Sequence, residues 1–230
     1  MGGYAPRSTS SGECHASRRV ATLAAQLVGL KVDIIVATAV PAIRAAKEAT
    51  RTIPIIMAVV VDPVATGLVA NLARPGGNIT GLSSMAPEVT GKQLEMLKEV
   101  VPTASLVAVL WNPTNAGNAP QVRRAQDAAG ALGVRLQPLE ARGPSEIDSA
   151  FARMTSEQAS AVIVLVDAML LDHRTQIADL TARRRLPAVY GLSDHAEASG
   201  LMAYGPNRLA IVRRADTYVD KILKGAKPGD

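Results

Sequence analysis

The sequence contains little cysteine and few aromatic residues: one Cys and 3% aromatics in 230 residues. A single cysteine, Cys14, excludes an internal disulfide and a metal site built from several cysteines. A nucleic-acid-binding chain typically combines a basic face with aromatic side chains for stacking. Here the net charge is only +5 and the basic residues are scattered. Their densest run, residues 183–185, ends a helical pattern, where cations are favourable. We therefore expect no nucleic-acid partner.

The motifs of common enzyme and metal sites are also missing. No GxGxxG follows a predicted strand, and neither a Walker loop nor a GxSxG turn occurs. Cys14 and His15 lie in a segment without periodicity, and His173 and His195 are too far apart for a local metal motif. Residues 1–19 contain no apolar run behind a basic start, so we expect no signal peptide in this chain. We expect no catalysis, no metal and no cofactor.

Short apolar, β-branched runs alternate with helical periodicity from Arg19 onward, which is typical of an α/β fold built around parallel sheets. The strands are predicted at residues 32–38, 53–60, 78–84, 106–112, 134–141, 161–167, 187–191 and 200–205. The helices are predicted at residues 20–30, 41–51, 63–73, 91–100, 120–132, 146–157, 170–185 and 209–223. Because most strands are continuously apolar, we expect helices on both faces of each doubly wound sheet.

Two crossings divide the predicted elements into two lobes. The Pro-Gly-Gly turn and the strand after it place one crossing near Gly81, and the return is expected near residues 204–207. The first lobe then comprises residues 19–81 and 205–230, the second comprises residues 82–204, and residues 1–18 are expected to be disordered. The first lobe contains too few strands for a typical sheet, so we expect it to be incomplete.

Polar residues, prolines and two tyrosines follow the predicted strands. Ligands of doubly wound sheets bind beyond the carboxyl ends of the strands, where loops and helix N-termini converge. Such a set suits a polar or zwitterionic ligand, because a carboxylate takes an ammonium and helix amides take an anion. The candidate ligand-binding residues are Thr38, Pro41, Asp62, Asn112, Asn115, Asp167, Tyr190, Gly191 and Tyr204.

Each candidate also has a purely structural alternative. Asp62, Asn112 and Asp167 are typical helix caps, and for each of them capping is as well supported as ligand contact. Tyr190 and Tyr204 end strands, so we expect their hydroxyls to reach a cleft rather than the core. Trp111 lies one residue inside its strand end, and packing against a helix is favoured for it. The recurrence of polar residues after several strands favours a cleft.

The motifs ARPGGNITGLS, VAVLWNP, LPAVYG, LMAYGPN and YVDKILKGAKP together resemble the ABC transporter substrate-binding protein family, in particular its tryptophan/tyrosine-binding receptors. The resemblance covers residues 20–230. It implies a type-one periplasmic-binding fold, closure of two lobes over a small ligand such as an amino acid, and delivery of that ligand to an ABC permease in the membrane. It also implies a periplasmic or other extracytoplasmic location. The family's ligand-facing loops fall on the nine candidate residues.

The sequence departs from the family pattern at several points. Members begin with a signal segment and an opening strand, helix and strand, and they continue beyond a KPGD-like stretch. Thr38, Ala39 and Val40 replace the family's Gly-Gly-Thr loop, which puts backbone contacts there in doubt. Two other functions stay open. The first is a ligand-sensing regulatory module of the same fold, in which a DNA-binding helix-turn-helix should precede the fold. The second is a doubly wound α/β enzyme, which would need a set of catalytic residues.

Overall fold

The computed structural model of this protein describes residues 11–84 and 86–229. The strands in these ranges are β1 (Ile35–Thr38), β2 (Ile55–Val60), β3 (Ile79–Ser83), β4 (Leu106–Trp111), β5 (Arg135–Glu140), β6 (Ala161–Val164), β7 (Ala188–Tyr190) and β8 (Met202–Ala203). The helices are α1 (Ser11–Gly29), α2 (Val40–Ala49), α3 (Ala86–Val100), α4 (Asn118–Ala131), α5 (Pro144–Ser156), α6 (Ala168–Asp172), α7 (Arg174–Arg183), α8 (Ser193–Glu197) and α9 (Arg208–Leu223). Each of the eight predicted strands is present at or within the predicted residues.

The larger sheet has five parallel strands in the order β5-β4-β6-β7-β8. Its strands alternate their side chains between two apolar layers, as expected for a sheet covered on both faces. Leu110 and Val164 pack with Phe151 of α5, whereas Val109 and Ile163 belong to the layer that contains α3 and α4. The continuous apolar runs of the sequence therefore correspond to strands buried on both sides.

The smaller sheet has three parallel strands in the order β1-β2-β3. Ile43 of α2 packs on one of its faces together with Ile35 and Ile55. The other face is covered by α9, whose Ala215 lies against Ile56. Since α9 follows β8 of the larger sheet, the chain crosses between the sheets after β3 and returns before α9.

The end of β2 is irregular, and this irregularity explains one glycine of the ARPGGNITG motif. The pairing of β2 with β3 shifts register between Met57 and Val60, and Val59 between them has φ of 56°. A β-branched residue in this region of φ is strained by about 1–3 kcal/mol. Gly81 lies opposite with φ of 138°, and a Cβ there would lie 2.0 Å from the Met57 carbonyl oxygen. Only glycine fits at Gly81.

The structure corrects the predicted helix over residues 63–73, which is a loop of turns. The Thr66 hydroxyl donates to the Asp62 carbonyl oxygen at 2.7 Å, and the chain leaves helical geometry at Gly67, where φ is 70°. The backbone N–H groups of Leu68 and Val69 then both donate to the Pro63 carbonyl. The apolar residues of this segment have helical spacing, but its backbone hydrogen bonds form successive turns and not a helix.

Three further expectations about helices differ from the structure. The first helix begins at Ser11, so residues 11–18, expected to be disordered, are helical, while residues 1–10 lie outside the described part. The predicted helix over residues 170–185 is divided at His173 into α6 and α7. The short helix α8 was not predicted, because five residues carry too little periodicity to detect.

Candidate ligand-binding site

The carboxyl ends of the two sheets meet at a small apolar contact. Val61, the residue after β2, packs with Val166 and Leu192, which follow β6 and β7. Gly117, just before α4, is also close, since a Cβ there would lie 3.3 Å from the Val61 Cβ. We call Val61, Gly117, Val166 and Leu192 the inter-sheet contact. It marks the place where loops from both sheets converge.

A network of amides surrounds Asp167 beside this contact. Asn112 Nδ2 donates to Asp167 Oδ1 at 3.2 Å, and Asn115 Nδ2 donates to Asp167 Oδ2 at 2.9 Å. Asn112 Oδ1 in turn accepts from the backbone N–H and the hydroxyl of Thr114. The structure thus brings together three predicted site residues, which follow β4 and β6, two neighbouring strands.

Asp167 is also the N-cap of α6. Its Oδ1 accepts from the backbone N–H groups of Met169 at 2.9 Å and Leu170 at 3.1 Å. The side chain is buried, and both carboxylate oxygens already have donors inside the protein. The capping alternative therefore describes Asp167 well. Within the described ranges, its negative charge is compensated by N–H dipoles rather than by a cation.

Asp62 differs from Asp167 in how many hydrogen bonds its carboxylate oxygens accept. It is half-buried, and its Oδ1 accepts from the backbone N–H of Ala65 at 2.9 Å. Among the described residues, Asp62 Oδ2 accepts no hydrogen bond. Thr38 and Pro41, at the carboxyl end of β1 and the start of α2, are exposed. These three residues lie at the same edge of the smaller sheet.

Tyr190 corrects the expectation that its hydroxyl reaches the cleft. The side chain is fully buried, and its hydroxyl lies 2.9 Å from the Thr181 hydroxyl of α7. Its ring stacks on His195, with centroids 4.9 Å apart. Burial raises the pKa of the Tyr190 hydroxyl. Because Tyr190 follows the alternation of β7, its side chain is directed into the core layer that α5 and α7 cover.

Gly191 is buried at the end of β7. A Cβ there would lie 2.6 Å from Val166 Cγ2 and 3.2 Å from the Val166 backbone nitrogen. The backbone N–H of Gly191 donates to the Val164 carbonyl at 3.0 Å. The glycine therefore allows the close approach of residue 166, which carries one side of the inter-sheet contact.

Tyr204 is the predicted aromatic residue that remains accessible, with 41% of its surface exposed. Its carbonyl oxygen accepts from Gln93 Nε2 of α3 at 2.6 Å, which holds the chain at the return crossing. Trp111 is partly buried and packs against the apolar layer of α3 and α4, as expected. Of the two tyrosines, only Tyr204 presents its ring to solvent.

Several residues that build this region were not singled out from the sequence. Val61 and Leu192 form the inter-sheet contact, and Gln93 anchors the return crossing. Arg208 of α9 pairs with Asp194 of α8, and this pairing lowers the pKa of Asp194. Apolar residues at strand ends resemble core residues in a sequence, and the burial of Gln93 depends on packing that no local pattern shows.

The described residues offer no group of three or more His, Cys, Asp or Glu side chains arranged to hold a metal ion. Within the same residues, no helix is both long and apolar enough to cross a membrane. The clustered polar side chains are amides, hydroxyls and carboxylates, which are groups that bind ligands through hydrogen bonds.

Comparison with known proteins identifies the family. Residues 9–230 match the family described as ABC transporter substrate binding protein. The chain belongs to this family. The parallel sheets flanked by helices are accordingly those of the type-one periplasmic-binding fold.

Individual relatives agree with this assignment. The tyrosine-binding protein of Clostridioides difficile (strain R20291) is 26% identical over 209 residues, which cover 91% of this chain and 60% of that protein. A Streptococcus pneumoniae ABC domain solved in complex with L-Trp is 28% identical, with a TM-score of 0.87 over 93% of this chain and 72% of the other. A Vibrio cholerae conserved domain protein is 27% identical, with a TM-score of 0.86 over 93% of this chain and 71% of the other.

This substrate-binding protein therefore has amino-acid-binding relatives that share its fold. The chain spans 60% of the length of the curated relative that it matches. The fold, the family and the presence of amino-acid-binding proteins among the relatives follow from these findings.

Proposed function

We propose that this protein is the extracytoplasmic receptor of an ABC-type importer and binds an amino acid, with L-Trp and L-Tyr as the first candidates. The two candidates come from relatives, one crystallised with L-Trp and one described as tyrosine-binding. In this proposal the ligand is bound between two lobes, passed unchanged to a membrane permease, and not converted by any catalytic group.

The observation that carries the proposal is the position of Asp62. It directly follows Val61, the residue of the smaller sheet that contacts the larger one. Its Oδ2 has no donor among the described residues, whereas both oxygens of Asp167 have donors. A half-buried carboxylate with a free oxygen suits a ligand ammonium, because charge-assisted hydrogen bonds are stronger than neutral ones.

The predicted ligand contacts then divide into two groups. Thr38, Pro41, Asp62, Asn115 and Tyr204 are exposed or half-buried and are proposed to touch the ligand. Tyr204 supplies an accessible ring against which an aromatic side chain packs favourably. The buried residues are proposed to hold the ligand-contacting residues in position without touching the ligand. They are Asn112, Asp167, Tyr190 and Gly191.

The lobes of the proposed receptor are the smaller sheet and the larger sheet, each with its helices. The predicted lobes, residues 19–81 with 205–230 and residues 82–204, need one correction: their boundary lies inside β3 (Ile79–Ser83), so the crossing follows Ser83 rather than Gly81. Helix α9 packing on β2 and the inter-sheet contact support this division. Closure of the lobes is proposed to bring Asp62 towards Asn115, since these residues follow β2 and β4 at the converging ends of the sheets.

A thermal-shift titration of the purified protein against the twenty L-amino acids tests the proposal. We expect L-Trp or L-Tyr to raise the melting temperature in a concentration-dependent way, since a ligand that binds only the folded state stabilises it. The ligand should be recovered unchanged after incubation. Conversion of the ligand, or no stabilisation by any amino acid, would contradict the proposal.

Asp62→Asn provides the test of the site itself. We expect this variant to bind the amino acid about tenfold more weakly or worse, because a charged hydrogen bond contributes about 1.5–3 kcal/mol. Asp172→Asn is the matched control, since Asp172 is exposed and lies outside the converging loops. Equal affinities of the Asp62→Asn variant and the unmodified protein would remove Asp62 from the site while leaving the receptor function open to the titration.

A further inference from the structure

A groove of about 660 Å³ lies on the outer side of the smaller sheet. It is lined by α2, by the loop at residues 66–68, and by the turn that precedes β3. Asn78 in that turn donates its side-chain amide to the carbonyls of Thr50 and Ile53, before the start of β2. The groove therefore extends towards the amino ends of the strands, away from the inter-sheet contact at their carboxyl ends.

The charged residues of the groove are mainly cations. Arg44, Lys47 and Arg51 line it together with one acid, Glu48, and all four are exposed. None of them forms an ion pair among the described residues. The groove thus carries a net positive charge that the described part of the protein does not neutralise.

The loop at residues 66–68 holds two of the cations in place. Lys47 Nζ donates to the carbonyls of Gly67 at 3.1 Å and Leu68 at 2.9 Å, and Arg44 Nη2 donates to the Thr66 carbonyl at 3.2 Å. An ammonium has three donors and a guanidinium has five, so both groups keep donors for a ligand. Side chains already held in one position lose less entropy when a ligand binds.

The size of the groove determines the size of the ligand. Arg44 and Lys47 are three positions apart on α2, about 4.5 Å along the helix axis, and Arg51 lies two residues beyond the end of that helix. A single phosphate or carboxylate fills only a small part of a groove of about 660 Å³. In an extended polypeptide, side chains on the same side are about 6–7 Å apart, so several acidic residues of one segment fit along the groove.

We propose that this groove, formed by Arg44, Lys47, Arg51 and the loop at residues 66–68, binds an acidic segment of a partner protein. Charge complementarity and the size of the groove identify the occupant as a stretch of several Asp or Glu residues. The proposal does not depend on the ligand of the inter-sheet region, because none of the groove residues belongs to that region.

Fluorescence anisotropy with a fluorescein-labelled hexaglutamate peptide tests this inference on the whole protein. We expect saturable binding that weakens with added salt, as exposed charges are screened. Arg51 makes no hydrogen bond among the described residues, so Arg51→Gln should leave the fold intact. This variant should weaken peptide binding about two- to fivefold, and Glu48→Gln should strengthen it by a similar factor.

The control variants change the same charges elsewhere. Arg124→Gln and Glu99→Gln alter exposed residues that form no ion pair among the described residues and lie outside the groove. Neither should change the affinity beyond experimental error. Equal shifts in the control and groove variants would mean that only net charge matters and would overturn the proposal. Absence of peptide binding, or displacement of the peptide by inorganic phosphate at equal total charge, would also overturn it.

Discussion

Asn115 and Asp167 are joined by a hydrogen bond of 2.9 Å between Asn115 Nδ2 and Asp167 Oδ2. The bond connects the loop after β4 to the first turn of α6. Asn115 Oδ1 also accepts from the backbone N–H of Gly117, which lies against Val61 of the other sheet. Asp167, the N-cap of α6, is thereby linked through Asn115 and Gly117 to Val61 at the inter-sheet contact.

Replacing Asp167 tests this connection. Asp167→Ala removes the cap of α6 and leaves the side-chain amides of Asn112 and Asn115 without their acceptor. We expect a loss of about 2–4 kcal/mol in the free energy of unfolding, from the lost cap and the unsatisfied buried amides. Urea denaturation followed by circular dichroism measures it. The exposed control Asp172→Ala should change stability by less than about 0.5 kcal/mol. Similar effects of the two substitutions would show that the network contributes no stability.

Gly191→Ala and Gly130→Ala should have opposite effects. A methyl group at Gly191 meets Val166 Cγ2 at 2.6 Å, so we expect a loss of about 1–3 kcal/mol from overpacking. Gly130 lies in α4 with no atom within 4 Å of the added carbon, and alanine there should stabilise the protein by about 0.5–1 kcal/mol. Thermal unfolding of both variants decides the matter, and a stabilised Gly191→Ala variant would contradict the close approach seen at this position.

Val36 exposes an apolar side chain on an edge strand. It is 51% exposed, and within the described residues β1 pairs only with β2. Unpaired apolar edges promote association between chains, and a lysine on such an edge opposes it. We expect Val36→Lys to raise the temperature at which light scattering begins. Leu201→Lys, at a residue that is 63% exposed but lies before β8, is the control and should have a smaller effect. Equal effects would mean that general solubility, rather than the β1 edge, is responsible.

His195 predicts a pH dependence of stability. Burial against Tyr190 lowers the pKa of His195 below its ordinary value of 6.5, although the nearby Asp194 carboxylate acts in the opposite direction. Below pH 6.5 the unfolded chain therefore binds a proton more readily than the folded protein does, and the free energy of unfolding decreases as the pH falls. Above that pH the stability contribution is complete.

Urea denaturation between pH 5 and pH 8 measures this effect, with His195→Phe as the test variant. Phenylalanine keeps an aromatic ring against Tyr190 and cannot be protonated, so we expect a flatter pH dependence between about pH 5 and 6.5. The loss of stability that accompanies protonation of Asp194, whose pKa Arg208 lowers from 3.8, falls in a more acidic range. His173→Gln should retain the slope of the unmodified protein, and an unchanged slope in His195→Phe would refute the assignment.

Much of the secondary structure could be predicted from local patterns. The short β-branched runs around Ile56, Val109 and Ile163 are buried strands, and such runs are typical of a sheet covered on both faces. The loop at residues 63–73 shows where such patterns fail. Its apolar spacing fits a helix, but Lys47 and Arg44, from a different element, bind the carbonyls of residues 66–68.

In the candidate site, too, local patterns predicted some features, and contacts between distant segments decided the others. Polar residues at the ends of β4 and β6 were recognised because parallel strands bring their carboxyl ends to one edge, and Asn112, Asn115 and Asp167 do lie together. The sequence did not distinguish Asp62, one of whose oxygens has no donor within the described ranges, from Asp167, whose oxygens both have donors, because that difference depends partly on donors distant in the chain. Tyr190 was predicted to face the cleft, but the side of β7 on which its ring lies is set by packing against α5 and α7, which the strand sequence does not show.

The sequence by itself determined the α/β class, the order of the strands along the chain and the family, since these follow from periodicity and short motifs. Only the tertiary structure decided which side chains are accessible at the converging strand ends and how Val61 meets Val166 and Leu192. Packing and hydrogen bonding between distant segments set burial and the use of each polar atom, and no local pattern encodes those partners.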